Sequence, residues 1–112
     1  MSRAKLYKNN NIPKSVVNIV TAICRDYYRR DRIIKSPSQA KNIILIQKYI
    51  ELNSVIDKAL SEIEPGISKD ILNDIITGKG YQYSEAKCLS KDAYYRRRRK
   101  LIYDIAKALS LL

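Results

Sequence analysis

The chain has 112 residues and a formal net charge of +11, because 22 lysine and arginine side chains face only 11 aspartate and glutamate. A chain of this length can bury one modest core, which argues against a multi-step enzyme, so we predict no catalytic residues and no cofactor. There is no histidine, and the two cysteines, Cys24 and Cys88, are far apart, which argues against a metal site and favours a reducing cytoplasm.

The chain begins with a segment that has no helical or strand pattern. Residues 1–12 are polar and basic, which predicts a flexible basic arm. Pro13 suits the first turn of a helix, and apolar residues from Val16 to Tyr27 then recur at helical spacing. We expect this first helix to continue to Ser36, where the following proline disfavours helical backbone.

A long central helix is predicted from about Ser38 to Ile63. Its apolar positions alternate in steps of four and three, which is typical of a coiled coil or a helical hairpin. Residues 13–64 are therefore predicted to form a helical hairpin and a candidate dimerisation region. The apolar positions are Leu45, Tyr49, Leu52, Ile56, Ala59 and Ile63.

The last third of the chain is predicted to contain two further helices. Pro65-Gly66 ends the central helix, and a short helix then runs from Ser68 to about Thr77, with Gly78 as its stop. One short helix is expected after Ser84, and Ser90 caps the last helix. Because no segment alternates like a strand, we predict an all-α fold. The expected buried face of the last helix is Tyr95, Ile102, Ile105, Leu109 and Leu112.

The positive charge is segregated, since residues 1–23 carry +4, 24–35 carry +3 and 91–100 carry +5, whereas 36–90 come to −1. The densest stretch, KDAYYRRRRK, begins the last helix. Basic residues fill its N-terminal half and apolar residues its C-terminal half, as in a recognition helix that enters the major groove of duplex DNA. Four consecutive arginines point nearly all round a helix. We expect Arg98 to lie nearest the core, where it either extends its charged end to solvent or pairs with an acidic residue such as Asp70 or Asp74. The alternative is a solvated charge run. The predicted DNA contacts are Lys91, Ala93, Tyr94, Arg96, Arg97, Arg99 and Lys100.

A weaker basic segment, RDYYRRDRII, ends the first helix. Its aspartates, Asp26 and Asp31, interleave with the arginines and allow ion pairs at helical spacing. Because it is less charged and paired within itself, we expect a secondary contact with the DNA backbone or with a partner. The candidate residues are Arg25, Arg29, Arg30 and Arg32.

The segments SKDAYYRRRRKLIYDIAKALSLL and IELNSVIDKALSEIEPGISKDILNDIITG resemble the phage-encoded ArpU/RinA-type transcriptional regulators. The helix-turn-helix of that family is similar to the promoter-reading C-terminal domain of sigma factors. The resemblance implies a helix-turn-helix-like DNA-binding region over residues 65–112 and a sequence-specific regulator of phage genes that acts with the host RNA polymerase. It implies a reading edge from Ser90 to Lys100. The chain departs from the family between Gly78 and Ser90, where YQYSEAKCLS replaces a longer positioning helix.

The predicted partners are double-stranded DNA and a second copy of the chain, in the cytoplasm of a bacterial host and away from membranes. A homodimer is expected because the central helix has a wide apolar face and because one recognition helix gains specificity from a symmetric half-site. Two other functions remain open. The first is a small phage DNA-packaging subunit, which would form a ring larger than a dimer, and the second is a host-takeover protein that binds a bacterial protein and no DNA.

Overall fold

The structure is a computed structural model, and it describes residues 12–36, 42–86 and 88–112. These residues form five α-helices and one 3₁₀ turn, with no strand, so the all-α prediction is confirmed. Within these ranges no helix combines the length and the apolar character needed to cross a membrane. The helices are α1 (Lys14–Arg25), α2 (Tyr27–Lys35), α3 (Ile43–Leu60), α4 (Pro65–Thr77) and α5 (Lys91–Ala108), and the turn is Tyr81–Tyr83.

Helix α1 begins directly after Pro13, as predicted, and buries Val16, Val20 and Cys24. Residues 1–11 of the predicted arm lie outside the described residues. Ile12, the last residue of that arm, is half-buried and packs against the core. Ile12 is therefore part of the packed core region and not of a flexible arm.

The prediction of one uninterrupted first helix is wrong, because the chain leaves helical geometry at Asp26, where φ is −93° and ψ is 5°. Asp26 accepts two hydrogen bonds of 2.6 Å from the guanidinium of Arg29. The guanidinium of Arg30 donates to the carbonyl of Ile23, in the last turn of α1. Arg30 thus takes up a carbonyl oxygen of the last turn of α1 at the junction between the two helices.

The interruption at Asp26 gives α1 and α2 different neighbours. Helix α1 packs against α4 and α5, whereas α2 packs against α3. The α2–α3 pair is antiparallel, since Tyr27 bonds to Asp57 and Arg30 to Asn53. Only α2 and α3 therefore form the expected hairpin, and a single core joins residues from both sides of position 64.

Helix α3 begins at Ile43, after Asn42, whose side chain accepts a 3.0 Å hydrogen bond from the Leu45 amide. This start is later than the predicted one at Ser38, which itself lies outside the described residues. Along α3 the apolar stripe is covered only in its second half. Ile56, Ala59 and the following Ile63 are buried, whereas Leu45 is exposed.

The expected helix boundaries between 60 and 90 need two corrections. Pro65 does not simply end the central helix; it occupies the first turn of α4, where its missing N–H is not required. Gly78 ends α4 as predicted, in the left-handed conformation at φ 76°. The short helix expected after Ser84 is absent from the described residues there. The 3₁₀ turn Tyr81–Tyr83 comes before it instead, so a complete middle helix of a helix-turn-helix is not seen in this part of the chain.

Candidate nucleic-acid interface

Helix α5 is held at both ends of its basic half. Ser90 caps it as predicted, and its hydroxyl accepts a 3.1 Å hydrogen bond from the Ala93 amide. Its C-terminal half is anchored in the core by Leu101 and Ile105, both fully buried. The arginine run therefore sits at the protein surface on a helix whose orientation is fixed by packing.

Tyr94 is not available to DNA, so its prediction as a contact is wrong. Its side chain is 0% exposed and packs against the rings of Tyr81 and Tyr95 at centroid distances of 5.4 and 4.9 Å. The hydroxyl donates a 2.7 Å hydrogen bond to Asp74. Burial, together with this bond, raises the pKa of Tyr94 to about 12. The buried face of α5 therefore contains Tyr94, whereas the predicted face contained Tyr95.

Arg98 lies against the core as expected, but it does not pair directly with either predicted aspartate. Its guanidinium donates to the Tyr94 hydroxyl at 2.9 Å and to the carbonyl of Lys79 at 2.6 Å. Since Tyr94 donates in turn to Asp74, Arg98 reaches that residue only through the tyrosine. Arg98 thereby ties α5 to the turn that follows α4.

Arg97 is also engaged within the chain, which contradicts its predicted projection towards DNA. Its guanidinium donates two hydrogen bonds to the carboxylate of Glu64, at 2.9 and 2.8 Å, and a third to the carbonyl of Ala93. The hydrogen bonds that Glu64 accepts from Arg97 lower the pKa of its carboxylate to about 2, and a hydrogen bond to the backbone adds a smaller effect in the same direction. A bidentate pair of this kind fixes the guanidinium plane, so Arg97 links α5 to the start of α4.

The face of α5 that points away from the core carries the remaining charge. Arg96 lies about 200° round the helix from buried Tyr94, and it is exposed. Lys100, Tyr103 and Lys107 follow it on the same side at steps of four, three and four residues. We call these four residues the outer strip; it is about 16 Å long at 1.5 Å per residue.

The cations of the outer strip differ from one another in how far they are already paired within the chain. Lys100 forms a 2.7 Å ion pair with Asp104 and stays about half exposed, at 49%. No described residue forms a hydrogen bond or an ion pair with Arg96. Arg99, a further predicted contact, is half-buried beside the strip. Arg96 is therefore the arginine of the run that is best placed to meet an external anion.

The other predicted contacts on α5 lie at its beginning. Ala93 is half-buried, and its amide and carbonyl are used by Ser90 and Arg97. Lys91 is exposed and lines a groove beside the 3₁₀ turn. Tyr103 and Lys107 were not predicted as contacts, although their spacing from Arg96 places them on the same face of the helix.

Arg30 is buried, so its predicted contact with DNA or a partner is wrong. It is 3% exposed, and its guanidinium donates to Asn53 and to the carbonyl of Ile23, both at 2.7 Å. Asn53 in turn donates to the carbonyl of Tyr27. Burial lowers the pKa of Arg30. The residue joins α1, α2 and α3 and is part of the framework.

Arg29 is exposed but paired, as the interleaved charges predicted. It binds Asp26 through Nε and Nη2 and lies 5.5 Å above the ring of Tyr49. The hydrogen bonds from Arg29 stabilise the charged carboxylate of Asp26 and so lower its pKa. Arg25 and Arg32 are exposed and are the members of the secondary set that remain open to a partner.

Comparisons with protein-family models, with curated proteins and with solved structures find no match for this chain. The family resemblance drawn from the residues therefore stays a prediction. Among the described residues no group of three or more histidine, cysteine, aspartate and glutamate side chains is placed to hold a metal ion.

Proposed function

We propose that this chain is a sequence-specific DNA-binding transcriptional regulator that contacts duplex DNA through the outer strip of α5. The observation that carries the proposal is the exposed face with Arg96, Lys100 and Lys107 on one side of a helix whose opposite side is fixed in the core. Side chains on such a face reach phosphates and base edges when the helix enters the major groove. The protein acts in this proposal by binding and not by catalysis.

The pairing of the neighbouring arginines supports this proposal over a merely solvated charge run. Arg97 and Arg98 hold α5 to Glu64 and to the Lys79 carbonyl, so two of the four arginines have structural roles. Arg96 has no such role among the described residues. The resemblance to phage regulators is the basis for the remaining part of the proposal, which is that the protein controls transcription with a host RNA polymerase in the bacterial cytoplasm.

Replacing Arg96 by alanine should weaken binding to a selected duplex by about 1–3 kcal/mol and relax the sequence preference at one position, because a base contact is lost. Wild-type binding should weaken steeply with salt, since lysine and arginine displace condensed counterions. The target duplex is obtained by selection from a random library, and affinity is measured by fluorescence anisotropy over a salt series.

Lys14→Ala is the matched control for Arg96→Ala. Lys14 is exposed on α1, so the change removes one positive charge outside both the outer strip and α3. Its selected-site affinity should stay within a few-fold of wild type. Wild-type binding that is independent of salt, or equal losses in the two variants, would contradict a reading face on α5.

We further propose that the protein acts as a homodimer through the first two turns of α3. Ile43 and Ile44 are 72% and 76% exposed, and Leu45 and Ile50 are exposed as well. The predicted contact face shares only Leu45 with this patch, since Tyr49 is half-buried beside Arg29 of α2 and Ile56 is buried. An apolar patch of this kind marks an interaction surface, and a symmetric pair would present two reading helices to two half-sites.

Light scattering at tens of micromolar should give a dimer mass for the wild type and a monomer mass for an Ile43→Lys, Ile50→Lys variant, because the charges would be buried at the interface. Ile19→Lys is the control, since Ile19 is exposed on α1 and should leave the dimer intact. A wild-type monomer that persists with DNA present would exclude the dimer, and a larger ring would favour a packaging subunit.

A further inference from the structure

A groove that the sequence did not reveal lies beside the beginning of α5. It is formed where the 3₁₀ turn Tyr81–Tyr83 approaches the first turn of the helix. We call it the tyrosine groove. It is lined by Gly80, Tyr81, Gln82, Tyr83, Lys91 and Tyr95.

The shape of the tyrosine groove is fixed by hydrogen bonds at its base. The Tyr81 amide donates to the hydroxyl of Tyr95 at 3.1 Å, and the Tyr81 hydroxyl donates to the carbonyl of Leu89 at 2.6 Å. Gly80 makes this approach possible, because a Cβ atom there would lie 2.8 Å from the Tyr95 hydroxyl oxygen. The groove is thus a formed feature of the fold, and it does not depend on the position of one surface side chain.

The side chains that reach solvent in the tyrosine groove are hydrogen-bond donors without partners among the described residues. Tyr83 is 65% exposed, and Gln82 and Lys91 are exposed too. Together they offer a phenol O–H, an amide N–H₂ and an ammonium group. Lysine, tyrosine and glutamine are all common donors to DNA phosphates.

The absence of acidic groups from the lining distinguishes the tyrosine groove from other grooves along α5. The groove at Arg96 and Lys100 also contains Glu62 and Glu64. The groove at Lys107 contains Glu62 and Asp104. None of the residues that line the tyrosine groove is a carboxylate, so a phosphate there meets a lysine ammonium without a lining group that repels it.

We propose that the tyrosine groove binds one phosphodiester of the DNA backbone, with Lys91 neutralising the phosphate and the Tyr83 hydroxyl donating to one of its oxygens. This inference rests on the proposed DNA-binding function and adds a site to it. Tyr95, at the wall of the groove, lies about 100° round α5 from Arg96, so the groove flanks the outer strip. A phosphate held beside the reading helix fixes the register of the strip on the duplex without reading sequence.

The proposal is tested with Lys91→Ala and Tyr83→Phe in the full chain, on specific and random duplexes. Lys91→Ala should weaken both duplexes alike, by roughly tenfold, and lower the salt slope by about one unit. Tyr83→Phe should weaken both duplexes alike without changing the slope, because a neutral donor releases no counterion. Lys14→Ala and Tyr28→Phe are the matched controls on exposed positions of other helices.

A second measurement locates the phosphate itself. Duplexes that carry one uncharged methylphosphonate at successive positions are bound by wild type and by Lys91→Ala. One position should weaken the wild type but leave the variant unchanged, since the variant has already lost that contact. If the Lys91 and Tyr83 variants bind like wild type while Arg96→Ala binds weakly, the groove proposal is overturned and the proposed function stands. Salt-independent binding by the wild type overturns both.

Discussion

Replacing Tyr94 by alanine is expected to lower the free energy of unfolding by about 3–5 kcal/mol, the usual cost of truncating a large buried aromatic side chain. The ring is fully buried and packs against Tyr81 and Tyr95. Its removal also leaves buried Asp74 without the hydroxyl that donates to it. Urea unfolding monitored by far-ultraviolet circular dichroism measures the change.

Tyr94→Phe separates the packing of the ring from the hydrogen bonds of the hydroxyl. It keeps the ring but removes the donor to Asp74 and the acceptor for Arg98. The loss should be about 1–3 kcal/mol, the cost of a buried polar group left without its partner. Neither variant should change the sequence preference of the folded protein. An alanine variant with wild-type stability and lost DNA binding would restore Tyr94 as a DNA contact.

Replacing Arg30 by methionine is expected to destabilise the fold by roughly 2–5 kcal/mol, because one buried and one partly buried acceptor lose their donor while the side-chain volume is largely retained. The acceptors are the side-chain oxygen of Asn53 and the carbonyl of Ile23. Without these hydrogen bonds the junction at Asp26, where α1 ends and α2 begins, is held less firmly. The midpoint of urea unfolding should fall accordingly.

The neighbouring arginine provides the control for Arg30. Arg29→Met removes an exposed guanidinium paired with Asp26, and exposed pairs contribute only about 0–1 kcal/mol. Adding Asn53→Leu to Arg30→Met should recover part of the loss, because both polar partners are then gone. If Arg30→Met kept wild-type stability but reduced DNA affinity, the surface of α2 would be a nucleic-acid contact instead.

Local chemistry was enough to predict the class of the fold and several helix ends. Proline, glycine and serine act through their own backbone and side chain, so Pro13, Gly78 and Ser90 mark boundaries that the sequence shows directly. The break at Asp26 was missed because it depends on Arg30, whose guanidinium reaches back to Ile23 only when Asn53 of another helix holds it. The turn at Tyr81–Tyr83 was missed for a similar reason, since its bonds run to Leu89 and Tyr95.

By itself the sequence determined that the chain is helical, that its net positive charge lies in residues 1–35 and 91–100, and that the start of the last helix has the highest density of charge. Which arginines are open to a partner was decided only by the tertiary structure. Periodicity places a residue round a helix axis to within about one 100° step, too coarse to choose between Tyr94 and Tyr95 as the buried ring. Arg97 is held by Glu64 at a separation of 33 residues, and Arg30 by Asn53 at 23. Such pairs form only when packing brings distant helices together, and no local pattern encodes them.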